Sequence, residues 1–357
     1  PPAPPAARSI TGSRSLSRPA GDRLRAVDTE VDRYNRRMTG HALYALPVIA
    51  LLIAGCAAEA PRQVAEPPAE ASLENGSFTA ELGGHPIHYE VHGSGPALMT
   101  VPNSWGLTLG GLRALYRPLE EHLTMVYFDP RGMGGSGPMI EDSDMSLAAV
   151  RDDFDALRQH LGLQRVNAIG WSNGATNLIF LASERPEILE SAIFLHGVSR
   201  VAPEDFATFD EDYPEWNAAS ESLQKDLARE DVDDDYRTQR FRRYSLEEAY
   251  PNLFADVEQG RELLPQAWAD VEFSYRHGAY SQQELPTWDL TEQLSAIPTR
   301  SLVLAGAHDL LPAERAQEMS DALADAEFGV FENSGHFAPL EEPQVFVAAV
   351  RKFLEGG

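Results

Sequence analysis

Short apolar runs alternating with helical patterns, from Ser77 to the C-terminus, predict an α/β fold with a mostly parallel central sheet flanked by helices. Three observations carry this expectation. Ala97–Pro102 and Thr124–Asp129 are apolar almost throughout, as strands covered on both faces must be. Between such runs apolar residues recur at helical spacing, as Leu147, Val150, Phe154, Leu157 and Leu161 do. Residues 199–287 interrupt the alternation with short helical patterns, and because the strands resume afterwards this segment reads as a helical cap inserted at a strand end.

Taken in order, Ser77–Gly83 and Ile87–His92 alternate polar and apolar residues and form an antiparallel pair. Ala97–Pro102 is the next strand, Leu112–His122 is helical, and Thr124–Asp129 is again a strand. Ser146 is placed to cap a helix running to Leu161. Arg165–Gly170 is a strand, Ala175–Ser183 a helix and Ser191–His196 a strand. Beyond the insertion, strands at Arg300–Ala305 and Phe328–Glu332 flank a helix over Pro312–Leu323, and Pro339–Leu354 closes the chain as a helix. The core therefore comprises residues 77–198 and 288–357.

Composition excludes several classes of function. With 43% hydrophobic and 24% charged residues in 357, the chain is too apolar to be disordered. Its net charge of -26 repels phosphate backbones and argues against nucleic acid as a partner. A single cysteine, Cys56, excludes an intramolecular disulfide and a Cys-rich zinc site.

Residues 1–55 read as an N-terminal extension ending in a signal peptide. Ala42–Ala58 is an uncharged apolar run broken by Pro47, with Arg33, Arg36 and Arg37 ahead of it. Ile53-Ala54-Gly55-Cys56 resembles the bacterial lipobox, which implies lipid attachment at Cys56, a bacterial membrane anchor and an extracytoplasmic location. Residues 56–76 are rich in Pro, Ala and Glu and form a flexible tether.

The chemistry is carried by Gly170-Trp171-Ser172-Asn173-Gly174, set between a strand and a helix. This is the G-x-S-x-G nucleophile elbow: a tight turn lifts the serine above the sheet, and the amide of the next residue, Asn173, faces a developing oxyanion. An acid, Asp309, follows the strand ending at Ala305, and His336 follows the strand ending at Glu332. Ser172, Asp309 and His336 stand in the chain order of one serine hydrolase architecture and not of the others. His336 would take the serine proton, and Asp309 would hold the imidazole. No cofactor or metal is called for.

With these motifs residues 77–355 resemble the α/β-hydrolase superfamily. Asp129-Pro130-Arg131-Gly132-Met133-Gly134-Gly135-Ser136 is similar to a structural loop of its capped members, including the prolyl iminopeptidases. The resemblance implies a serine hydrolase cleaving an ester or amide of a small molecule or short peptide through an acyl-enzyme. It implies a second oxyanion amide at Ser104, although Pro102-Asn103-Ser104-Trp105-Gly106 departs from the iminopeptidase H-G-G-P-G loop, and GWSNG departs from their usual elbow. Trp105, Trp171 and His196 are candidate pocket residues, and the cap aromatics Phe206, Phe209, Tyr213, Trp216, Trp268 and Phe273 are candidates for its roof.

Two alternatives stay open. An iminopeptidase-type aminopeptidase would hold its substrate's α-amino group on cap carboxylates. Those available are Glu204, Asp205, Asp210, Glu211, Glu215 or the Asp231–Asp235 cluster, although charged residues on inserted helices ordinarily face solvent. A non-catalytic surface lipoprotein would use the fold to bind a ligand or partner. Oligomeric state is not legible.

Overall fold

The computed structural model describes residues 73–356 apart from 104 and 285–287. The lipobox, Cys56, most of the tether and Ser104 lie outside the described residues. No helix among the described residues is long and apolar enough to cross a membrane.

Among the described residues eight strands form one sheet. The first two, β1 (Gly76–Leu82) and β2 (His85–Gly93), are an antiparallel hairpin, and β2 pairs antiparallel with β4 (Thr124–Phe128). From β4 onward every pairing is parallel, through β3 (Ala97–Val101), β5 (Val166–Trp171), β6 (Leu189–Leu195), β9 (Arg300–Gly306) and β10 (Ala326–Phe331). Parallel strands need crossover helices on the faces, and both faces are covered.

The two-residue side-chain period of the strands divides the core into two clusters. Leu98, Met125, Ile169, Ile193 and Leu302 point to one face and pack on helices Leu109–Tyr116 and Pro343–Glu355. Met99, Val126, Ala168, Ala192 and Val303 point to the other, against helices Leu147–His160, Asn173–Glu184 and Ala313–Ala322. Ser146 caps the first of these, accepting from the Ala149 amide at 3.1 Å.

Two expected helices are interrupted. The pattern over Leu112–His122 is α-helical only to Tyr116 and continues as a 3-10 turn, Arg117–Glu121, because Pro118 has no N–H to donate. The closing helix divides at Glu342, the residue before Pro343, where an α conformation would clash with the proline ring.

Between β6 and β9 the chain leaves and rejoins the core through a two-stranded antiparallel ribbon, β7 (Arg200–Val201) with β8 (Trp288–Asp289). The intervening chain is helical, with Pro214–Leu227, Asp234–Arg243, Val257–Ala267 and Tyr275–Glu284 as its longest pieces. A π-helical turn, Tyr244–Ala249, follows the second of these. Trp268 anchors the segment: fully buried, it donates from Nε1 to the Gly111 carbonyl at 3.1 Å.

Candidate active site

Ser172 is the single residue between the end of β5 and the helix Asn173–Glu184. Its backbone has φ 55° and ψ -123°, a conformation that L-residues rarely adopt. The neighbouring glycines make the turn sterically feasible. A Cβ on Gly170 would lie 2.4 Å from the Gly174 carbonyl oxygen, and one on Gly174 would lie 2.7 Å from that of Val101. The Ser172 amide donates to the Leu195 carbonyl at 2.9 Å, and its own carbonyl accepts from Ala175 and Thr176. The strain is thus held from β6 on one side and from the helix on the other.

Asp309 and His336 come from the loops beyond β9 and β10, and the parallel sheet brings both to the same edge as Ser172. His336 Nδ1 lies 2.8 Å from Asp309 Oδ2 and 3.0 Å from Oδ1. Asp309 Oδ1 also accepts from the Leu311 amide at 3.1 Å. Burial alone would push the Asp309 carboxyl up, but the attraction of His336 and the hydrogen bonds from His196 and His336 hold it well below the usual carboxylate range. The His336 backbone is fixed through its amide to the Leu253 carbonyl (2.7 Å) and through its carbonyl to Trp171 Nε1 (2.9 Å). Glu341 braces the same loop, accepting from the amides of Ala255, Gly335 and Phe337, and burial raises its carboxyl despite those bonds.

A cavity of about 390 Å³ opens at this edge, lined by Ser172, Asp309 and His336. Trp105, Trp171 and His196 line it as well. The helical segment supplies the opposite wall, chiefly Phe206, Trp216, Tyr244 and Tyr250. Trp216 Nε1 donates to the Tyr244 hydroxyl at 2.8 Å, so the polar tips of the two rings satisfy each other. Phe209 and Tyr213 pack on Trp216 rather than on the cavity. Trp268 and Phe273 are not roof residues but lie in the core cluster, because Trp268 is drawn down to Gly111 and Phe273 packs against its ring.

None of the cap carboxylates named above lines the cavity; its carboxylate is Asp309. Asp205 is tied to Arg315 at 2.8 Å, and Glu204, Asp210, Glu211 and Glu215 are exposed. Asp231 and Asp233–Asp235 are exposed too.

Asn173 begins the helix behind the serine and its side chain donates to Ser281 Oγ at 2.9 Å. In the Asp129–Ser136 loop, Asp129 accepts from the amides of Leu109 and Gly135, while Arg131 bridges Asp153 and Asp144. His308 is exposed. His85, His88 and His92 each sit beside a different carboxylate, those of Asp144, Asp129 and Glu90.

Sequence reasoning left His196 divided between pocket wall and sheet terminus and missed its main contact, Nδ1 to Asp309 Oδ2 at 2.9 Å. It also missed Glu341 and Leu253. The acid pair Glu341-Glu342 close behind His336 is the one signal that pointed toward such bracing. His196, Asp309 and His336 present potential ligand atoms within 4.8 Å of one another, and both imidazole Nδ1 atoms lie at hydrogen-bond distance, 2.8–3.0 Å, from the Asp309 carboxylate.

Residues 102–343 match the family model of the alpha/beta hydrolase fold. The chain is 28% identical over 282 residues to a RutD protein of Caulobacter sp. (strain K31), to which carbamate hydrolysis is ascribed, covering 76% of this chain and 96% of that protein. It is 22% identical over 259 residues to the proline iminopeptidase of Lactobacillus acidophilus, covering 65% and 80% respectively. The solved structure of an alpha/beta fold family hydrolase from Bacillus anthracis superposes with a TM-score of 0.64 at 19% identity, over 78% of this chain and 99% of that one. The chain belongs to the α/β hydrolase fold family.

Proposed function

We propose that this protein is a serine hydrolase that cleaves an uncharged ester or related acyl bond of a small apolar molecule through an acyl-enzyme. The observation that carries the reading is a strained serine opening on an apolar, aromatic cavity beside a hydrogen-bonded Asp309–His336 pair.

Ser172 Oγ attacks the carbonyl carbon as His336 Nε2 takes its proton, and Asp309 accepts from Nδ1 to fix the tautomer and stabilise the imidazolium. The Asn173 amide, with one from the position of Ser104, donates to the tetrahedral oxyanion. Collapse expels the leaving group, which takes the proton from His336. Water then adds to the acyl-serine by the same base, releasing the acid and the free serine.

An aminopeptidase needs a carboxylate for the substrate ammonium group. The carboxylate lining the cavity is Asp309, already occupied by two imidazoles, so the ester reading is preferred. Kinship to proteins named as a carbamate hydrolase and a proline iminopeptidase keeps carbamates and amides among the bonds to test.

The test is labelling by a fluorophosphonate together with turnover of p-nitrophenyl esters, aryl carbamates and prolyl arylamides. Ser172→Ala should lose both labelling and turnover, and esters of medium acyl chain should lead the panel. Wild-type turnover by Ser172→Ala would refute the mechanism, and a lead for prolyl arylamides would refute the substrate class. We propose further that Cys56 carries a lipid that tethers the enzyme outside the cytoplasm. Loss of metabolic palmitate labelling in Cys56→Ala, with labelling present in the wild type, is the expected result.

A further inference from the structure

His196 ends β6 in a position that needs an explanation. Its side chain is fully buried, its backbone has φ 51°, and its Nε2 has no hydrogen-bond partner among the described residues. An apolar residue of similar size would avoid the unmatched nitrogen, and a glycine would avoid the strained backbone. Both costs accompany one contact, Nδ1 to Asp309 Oδ2 at 2.9 Å. His336 Nδ1 meets the same oxygen at 2.8 Å, and the two rings lie 5.2 Å apart between centroids.

We propose that His196 is a positioning residue of the active site: it donates from Nδ1 to the carboxylate that serves His336, holds that carboxylate from a second side, and draws off part of its charge. The proposal rests on the role given to His336 above. An ionised carboxylate only accepts, so both imidazoles present an Nδ1–H to Asp309. In His196 that tautomer leaves Nε2 bare, which accounts for the unmatched atom. Burial lowers the His196 pKa more than Asp309 raises it, so the ring is neutral at pH 7 and acts as a dipole rather than a second cation.

A carboxylate shared in this way stabilises the His336 imidazolium less than an unshared one. The titratable groups facing His196 are Asp309 and His336. Tyr213 from the helical segment and Glu341 from the Ala338–Glu341 turn feel the charge of Asp309 from further out.

Two measurements on the full chain test this. In histidine-¹⁵N spectra assigned with His196→Asn, His196 should show a protonated Nδ1 and a bare Nε2. In fluorophosphonate labelling, the acid limb of the rate–pH profile should move to higher pH in His196→Phe by about half a unit to one unit, a three- to tenfold change in the protonation constant. His196→Asn keeps an N–H near the Nδ1 position and tolerates the left-handed backbone, so its limb should return toward wild type. A purely structural His196 would lower the amount of folded protein and leave the limb in place. An unmoved limb in folded His196→Phe, or a protonated Nε2 in the wild type, overturns the proposal. Should His196→Phe not fold, the tautomer still decides it. If wild-type protein never labels, the acyl-enzyme reading fails separately and the tautomer remains the test.

Discussion

Among the described residues stand two serine–histidine–aspartate groupings, and the one with the more complete hydrogen bonding is the one that does not line the cavity. On the sheet edge, Ser77 Oγ lies 2.9 Å from His88 Nε2, and His88 Nδ1 lies 2.8 Å from Asp129 Oδ2. That relay is continuous, yet Ser77 sits in ordinary extended backbone on an exposed edge strand. Asp129 is also committed to two backbone amides, which ties it to loop structure. At the other site, Ser172 is strained, stands at a helix N-terminus and opens on an apolar cavity, while Asp309 serves two imidazoles. Connectivity among the three residue types is therefore a weak marker of catalysis. A strained serine at a helix N-terminus, facing an apolar cavity beside a buried carboxylate–imidazole pair, is what sets the Ser172 grouping apart.

The largest expected effect breaks this comparison directly. Ser172→Ala should reduce ester hydrolysis by about 10⁴-fold or more, whereas Ser77→Ala should leave it within about twofold. Equal losses would show that the edge grouping takes part in the chemistry. The two aspartates should separate in the opposite sense. Asp309→Asn should cost about 10³- to 10⁴-fold in kcat, because the amide allows the wrong imidazole tautomer. Asp129→Ala should instead lower unfolding free energy by about 3 kcal/mol, since it strands the Leu109 and Gly135 amides. Urea unfolding and labelling of the folded fraction measure the two effects; Asp129→Ala protein that is stable but inactive would reverse the assignment.

What the sequence disclosed follows the same division. Ser172, Asp309 and His336 were legible because each occupies a local chain signature, a turn or loop at the end of a strand whose type and order can be read residue by residue. The strands were legible for a related reason: burial on both faces leaves almost no polar positions, as in Thr124–Phe128. The cavity wall was not. Whether Trp216 or Trp268 faces the cavity depends on how the helical segment sits on Gly111 and Tyr244, contacts between residues far apart in the chain. His196 was hidden in the same way, since its meaning lies in a partner on a different strand loop.

A smaller effect concerns pH. His196 and His277 are both buried with their pKa values lowered by desolvation, and His277 Nε2 donates to the Arg131 carbonyl at 2.8 Å. A lowered folded-state pKa means that the unfolded chain binds more protons below its own value of about 6.5. The stability these rings contribute is full above that pH and is lost as pH falls through their folded values. Thermal midpoints should therefore decline as pH drops below about 6.5, and His277→Gln, which retains a donor for Arg131, should flatten the decline. A midpoint that rises on acidification over that range would contradict the neutral assignment of both rings.

The smallest effect belongs to the cavity wall, where the comparison is between chemistry and fit. Tyr244 accepts from Trp216 Nε1 at 2.8 Å and shares a hydrogen bond with Ser220 Oγ at 2.6 Å. Tyr244→Phe removes the hydroxyl without changing the ring, so Trp216 loses its partner and its indole is free to reorient in the cavity. A reoriented indole should give up part of its apolar contact with the ester, about 1 kcal/mol, which corresponds to a rise in KM of about fivefold. Fluorophosphonate labelling at saturating probe should be unchanged, because Ser172, His336 and Asp309 keep every contact described for them. A fall in kcat with KM preserved would mean that this wall positions the reacting carbonyl rather than the remote part of the substrate.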